Sequence, residues 1–153
     1  MNKRMELLAY CGLYCGDCAG HSGRLADAAS ELANAIDAHE FDRTAECLFA
    51  DEIPDYGAFR ETLGFLTELR CEAPCRARDP SSTTCAVKAC CIERGYFACH
   101  ECDGFETCDT LRDNVERCGY ASLENIRSIR EAGLDAWLAS GKRRWFQPNR
   151  DLR

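Results

Sequence analysis

No stretch of this sequence is apolar for long enough to cross a bilayer. The run before Cys11 is also far shorter than the apolar core of a secretory leader. The expected compartment is therefore the cytoplasm, with no membrane as partner. Catalytic signatures are missing as well: there is no phosphate-cradling glycine loop, no zinc-protease helix with paired histidines and no nucleophile elbow. That points to a non-catalytic role, with enzyme activity left open. Internal repeats and low-complexity tracts are absent, and no segment shows the period-two alternation of a half-buried strand. Positive charge is scarce, with 19 Lys and Arg against 26 Asp and Glu and a formal charge of −7. Such a balance argues against nucleic acid as a partner. One basic cluster stands out near the end, Lys142, Arg143, Arg144, Arg150 and Arg153, with Trp145 and Phe146 inside it. Cations at a helix C-terminus followed by a solvated tail explain it better than a contact with an anionic partner.

What the sequence does have is cysteine, 13 in 153 residues. In a secreted chain this density would suggest disulfides. In the cytoplasm thiols stay reduced, and the same density suggests metal or redox chemistry. The odd total also disfavours a fully bridged framework. Ten of the cysteines fall in four tight groups: Cys11, Cys15 and Cys18; Cys71 and Cys75; Cys85 and Cys90; and Cys99, Cys102 and Cys108. Two residues between cysteines, as in Cys15/Cys18 and Cys99/Cys102, allow one tight turn to aim both sulfurs at a single ion. A tetrahedral zinc takes about four such ligands near 2.3 Å. Gly12, Gly16 and Gly104 supply backbone freedom for the turns. Ten thiolates fill two four-sulfur zinc sites with two to spare, and His21 or His100 could complete a third; two sites are expected. Spacing does not say which groups share an ion. Cys47, Cys91 and Cys118 stand outside this scheme and read as small buried hydrophobes, and His39 reads as structural.

The first group has the spacing of radical enzymes that hold a four-iron cluster and cleave S-adenosylmethionine. Those enzymes need a partial β/α barrel, for which this chain has neither strands nor length, and Asp17 stands where they usually carry an aromatic residue. A plain iron–sulfur or thiol redox protein working through Cys11, Cys15 and Cys18 remains the alternative to zinc. A thioredoxin-like pair is disfavoured because its βαβ context is missing.

Between the cysteines the pattern is helical. Leu25, Ala28, Ala29, Leu32, Ala35 and Ile36 predict an amphipathic helix over residues 23–39, with Asp27, Glu31 and Asp37 in water. A second runs from about Asp55 to Arg70, with Phe59, Leu63 and Leu66 as its stripe. A third spans Ala86 to Arg94 and stops at Gly95. A fourth follows Phe105 to about Val115. The last starts at Ser122 as cap and carries Leu123, Ile126, Ile129, Leu134, Trp137 and Leu138 to Gly141. The expected fold is mainly α, one small helical domain over residues 1–153 with cysteine-rich metal-binding loops. The connection Arg78–Thr84 lies between cysteines and is not a domain boundary.

The order of the groups carries a family resemblance. Tyr10-Cys11-Gly12-Leu13-Tyr14-Cys15-Gly16-Asp17-Cys18 resembles the opening of Domain of Unknown Function 3795, a cysteine-rich family. Cys85-Ala86-Val87-Lys88-Ala89-Cys90 with Glu93-Arg94-Gly95 is similar to its next signature, and Cys99-His100-Glu101-Cys102 with Phe105 and Cys108 to its closing one. The stretch from Asn125 through Trp137-Leu138 resembles its last helix. Two features depart from the pattern. Cys71-Glu72-Ala73-Pro74-Cys75-Arg76 is one residue wider and lacks the usual glycine, and Phe105-Glu106-Thr107-Cys108 replaces Phe-Pro-Cys. The resemblance implies metal binding, with zinc foremost, and no activity. The leading expectation is a structural zinc protein whose exposed face meets a protein partner.

Overall fold

The computed structural model describes residues 3–79, 84–141 and 143–146, without the side chains of Asn114, Arg117 and Cys118. Most of the Arg78–Thr84 connection, together with Lys142, Arg150 and Arg153, lies outside the described residues. Nine α-helices are seen among them: α1 (Lys3–Glu6), α2 (Ala19–Ser22), α3 (Arg24–Ala38), α4 (Phe41–Leu48), α5 (Tyr56–Thr67), α6 (Ala86–Glu93), α7 (Asp109–Cys118), α8 (Ser122–Ala132) and α9 (Leu134–Ser140). Extended pairing among the described residues is confined to two single bridges, Leu8 with Tyr14 and Tyr120 with Phe146. The fold is mainly α with cysteine-rich loops, as the periodicity predicts. No helix among the described residues is long and apolar enough to cross a membrane.

The chain forms two compact units. Unit 2 is continuous, Ala19–Glu72, and interrupts unit 1, which joins Met1–Cys18 to Ala73–Arg153.

In unit 2, α3 packs on α5 through small residues. Ala29 and Ile36 meet Leu63, with Ala33, Phe41 and Leu66 alongside. The predicted stripe of α3 is rotated. Ala26, Ala29 and Ile36 are buried, whereas Leu25 and Leu32 are 41% and 47% exposed. Alanines let the two backbones approach, and this turns the larger leucines outward. In α5 only Leu63 is buried, and Phe59 lies on the surface. Helix α4 has no counterpart in the sequence reading. It follows Glu40, a non-glycine residue at φ 48°, and its eight residues are too short to form alone.

Unit 1 has two adjoining apolar clusters. One gathers Leu8, Tyr14, Ala98, Ile129, Trp137 and Leu138. The other gathers Val87, Cys91, Cys99, Phe105, Leu111 and Ile126. Two predicted helices are interrupted here. Phe105–Thr107 is a separate 3-10 turn, and Cys108 then leaves the helical region (φ −76°, ψ 110°) before α7 begins. The predicted final helix breaks at Gly133 (φ 83°, ψ 150°), giving α8 and α9. Ser122 is not a cap. Ala121 holds that position and Ser122 is the first helical residue, fully buried.

Arg143 accounts for part of the basic cluster. It donates to the Leu138 carbonyl in the last turn of α9 at 3.0 Å and grips Asp17 at 2.7 and 3.2 Å. Its guanidinium lies 4.2 Å from the Tyr14 ring centre. This is a cation at a helix C-terminus, as the sequence suggests.

Candidate metal centre

The twelve described cysteines are all thiols. Three tight turns of one design place five of them. In Cys15–Asp17 and Cys99–Glu101 the chain makes a single 3-10 turn, and the N–H of Cys18 or Cys102 closes it on the Cys15 or Cys99 carbonyl at 3.0 and 3.1 Å. The Phe105–Thr107 turn is closed by the Cys108 N–H on the Phe105 carbonyl at 3.4 Å. In each case the closing cysteine is extended, so its side chain leaves the turn. The Cys99 N–H also bonds the Tyr10 carbonyl at 2.9 Å. That bond sets the last cysteine group against the first, although 88 residues separate Cys11 from Cys99.

Five cysteines lie in or against the second apolar cluster of unit 1. Cys91 and Cys99 belong to it, and Cys11, Cys85 and Cys108 pack against it. The Cys91 and Cys99 sulfurs are 3.7 Å apart. Cys75 joins them electrostatically, since its charge and that of Cys85 raise the Cys11 pKa. Burial is the main cause and pushes the Cys11 thiol up to about 11, against hydrogen bonding from the Leu13 backbone. At Cys99 the shared hydrogen bond with Cys91 raises the pKa, and burial and the charges of Cys91, Cys11 and Cys108 add to it. At Cys91 the same bond lowers it.

Two cations are packed beside these sulfurs. Lys88, on α6 between Cys85 and Cys90, is 2% exposed. Its ammonium donates to the carbonyls of Cys75 and Arg78 at 3.1 and 2.6 Å, pinning that turn. Arg76 donates to the Leu8 carbonyl at 2.6 Å and to the Phe97 carbonyl. It is sandwiched between Tyr10 and Phe97, 4.4 and 3.8 Å from their ring centres. Burial lowers its pKa, while Tyr10 and the thiols of Cys75 and Cys91 oppose the change. Both cations thus rest on backbone carbonyl oxygens and on the face of the Tyr10 ring.

A family model described as "Protein of unknown function (DUF3795)" matches residues 7–113. The chain belongs to DUF3795. No curated protein and no solved structure matches it. The DUF3795 match spans every grouped cysteine, Cys11 through Cys108, and ends before α8 and α9.

The sequence-predicted ligands of this DUF3795 chain are distributed unevenly. Cys11, Cys85, Cys99 and Cys108 share the sulfur-rich core, and Cys75 acts on Cys11 through its charge. Cys90 and Cys102 both act on Arg94, whose pKa their charges help to raise, Cys90 most strongly. Cys15 and Cys18 lie on the first turn, and Cys71 belongs to unit 2, where its N–H bonds the Gly20 carbonyl at 2.8 Å. The sequence makes Cys91 a small buried hydrophobe; it is buried, but against another sulfur. Its only sequence signal is its position beside Cys90 on a short helix. The same expectation fails for Cys47, which is exposed on α4. The Cys118 side chain lies outside the described residues. The His100 Nδ1 is buried without a hydrogen-bond partner.

Among the described residues no three His, Cys, Asp or Glu side chains stand in a ready-made metal geometry. The donor chemistry nevertheless fits a soft divalent cation. Two sulfurs each about 2.3 Å from one tetrahedral ion are about 3.8 Å apart, close to the 3.7 Å between Cys91 and Cys99.

Proposed function

We propose that this protein is a structural metalloprotein in which zinc, held by thiolates of unit 1, ties short helices together and leaves other surfaces for a protein partner. The observation that carries this reading is the packing of Cys11, Cys85, Cys91, Cys99 and Cys108 around one core, with Cys75 in electrostatic reach. The two cations beside the thiols support it. Lys88 is buried and Arg76 half-buried, and burial of positive charge is less costly beside negative charge. A four-thiolate zinc site carries a net charge of about −2 and supplies it. Unit 1 holds ten described thiols, enough for two tetrahedral ions. Bound zinc would supply cross-linking; with four thiolates no position remains for a hydrolytic water. Such a site suits a reducing compartment such as the cytoplasm.

The test is metal analysis and a visible spectrum of protein purified without oxygen. Colourless protein with about two zinc ions per chain, unfolded by a strong chelator, is expected. Brown protein containing iron would replace zinc with an iron–sulfur cluster. Folded, metal-free protein would overturn the reading.

A further inference from the structure

Unit 2 holds most of the chain's acid surplus. Residues 19–72 contain twelve Asp and Glu, four Arg and no Lys, a formal −8, against −7 for the whole sequence. Three of those arginines are already held by carboxylates of the same unit. Arg43 meets Glu40 at 3.0 Å, Arg60 meets Asp37 and Asp42 at 2.7 and 3.1 Å, and Arg70 meets Asp27 at 2.6 Å. Asp51, Glu52 and Asp55 are all exposed in the segment leading into α5.

The same unit carries seven of the nine large apolar side chains that stand exposed among the described residues, including Ile53 and Phe59. These two, with Phe41, Pro54, Asp55 and Tyr56, line a groove of about 570 Å³. It shares Phe41, Tyr56 and Phe59 with a second depression that runs past Leu32 and Ile36 on α3. The walls are fixed in advance. The Tyr56 hydroxyl donates to Asp42 at 2.8 Å, and its ring centre is 5.9 Å from Phe41 and 5.8 Å from Phe59.

We infer that this face of unit 2 docks a basic amphipathic helix of another protein. Apolar anchors spaced three and four residues apart would enter the aromatic groove, and flanking Lys or Arg would meet Asp51, Glu52 and Asp55. The charge selects this occupant. A second copy docked by the same face would bring −8 against −8, and an anionic lipid surface or a nucleic acid would be repelled.

The test uses the full-length protein and a fluorescently labelled 15-residue helical peptide with leucines on one face and lysines elsewhere. Two controls are its glutamate counterpart and a scrambled lysine–leucine peptide without an apolar face. Binding of the basic amphipathic peptide should be at least about tenfold tighter than either control. It should fall about tenfold in Phe59→Ser and in Ile53→Ser, both surface changes whose folding is checked by circular dichroism. An Asp51→Asn, Glu52→Gln, Asp55→Asn variant should bind more weakly and lose much of its salt dependence. Equal binding of the scrambled peptide, or undiminished binding by folded Phe59→Ser, would overturn the inference. So would self-association abolished by Phe59→Ser in a protein that ignores the peptide, which would make a second copy the occupant.

Discussion

Asn125 on α8 donates from Nδ2 to the Gly12 carbonyl at 3.1 Å, joining the loop after Cys11 to a helix far along the chain. It also donates to the Arg144 carbonyl at 2.8 Å and accepts from the Arg144 N–H at 3.2 Å. With 2% exposure it is a buried clamp on three backbone groups. Asn125→Ala is expected to cost about 2–4 kcal/mol, because the groups left behind stay buried without partners. Urea unfolding measures this; a loss below about 0.5 kcal/mol would mean that the clamp is redundant.

Gly12 is constrained in two ways. Its φ is 88°, and a Cβ there would come 2.8 Å from Cγ1 of Ile126 and 3.2 Å from the Ser122 carbonyl. Gly12→Ala should therefore destabilise unit 1 by about 3 kcal/mol, from backbone strain and overpacking against α8. Gly57 has ordinary φ and nothing near its Cβ direction, so Gly57→Ala, inside α5, should be neutral or slightly stabilising. Comparison of the two melting curves decides.

Under the zinc proposal, Cys91 and Cys47 should behave oppositely. Cys91→Ser places a hydroxyl in the sulfur core, and both bound zinc and thermal stability should fall. Cys47→Ser changes an exposed thiol on α4 and should leave both unchanged. Zinc content and melting temperature, measured on each variant, provide the check. Full metal retention by Cys91→Ser would remove that residue from the centre.

Tyr56 gives unit 2 an alkaline limit. Its pKa is raised by desolvation, by its hydrogen bond to Asp42 and by that carboxylate's charge. A raised folded value means that the unfolded chain loses the proton first. The contribution is complete below the ordinary tyrosine pKa of about 10 and is lost as pH rises through the folded value. Urea midpoints of the parent and Tyr56→Phe proteins should differ at neutral pH and converge in that alkaline range. A constant gap would show that the bond does not couple to titration.

Helical class, helix positions such as α6 ending before Gly95, and the cysteine groups that mark the family were all legible in the sequence. Each is a local property, fixed by periodicity, turn chemistry or spacing. The inward face of α3 was not legible, because Leu25 and Ala29 satisfy the same periodicity and only contact with α5 chooses between them. The breaks at Cys108 and Gly133 were hidden for a similar reason, since the pattern on both sides is helical and the interruption serves packing elsewhere.

The sequence by itself determined that thiols would be dense, grouped and embedded in an acidic helical chain. Only the tertiary structure decided which thiols face one another. Cys90 and Cys91 are adjacent, yet successive residues on a helix point about 100° apart. Cys91 therefore meets Cys99 in the core, while Cys90 acts on Arg94. Spacing along the chain cannot make that choice, because it depends on the surface against which α6 is laid.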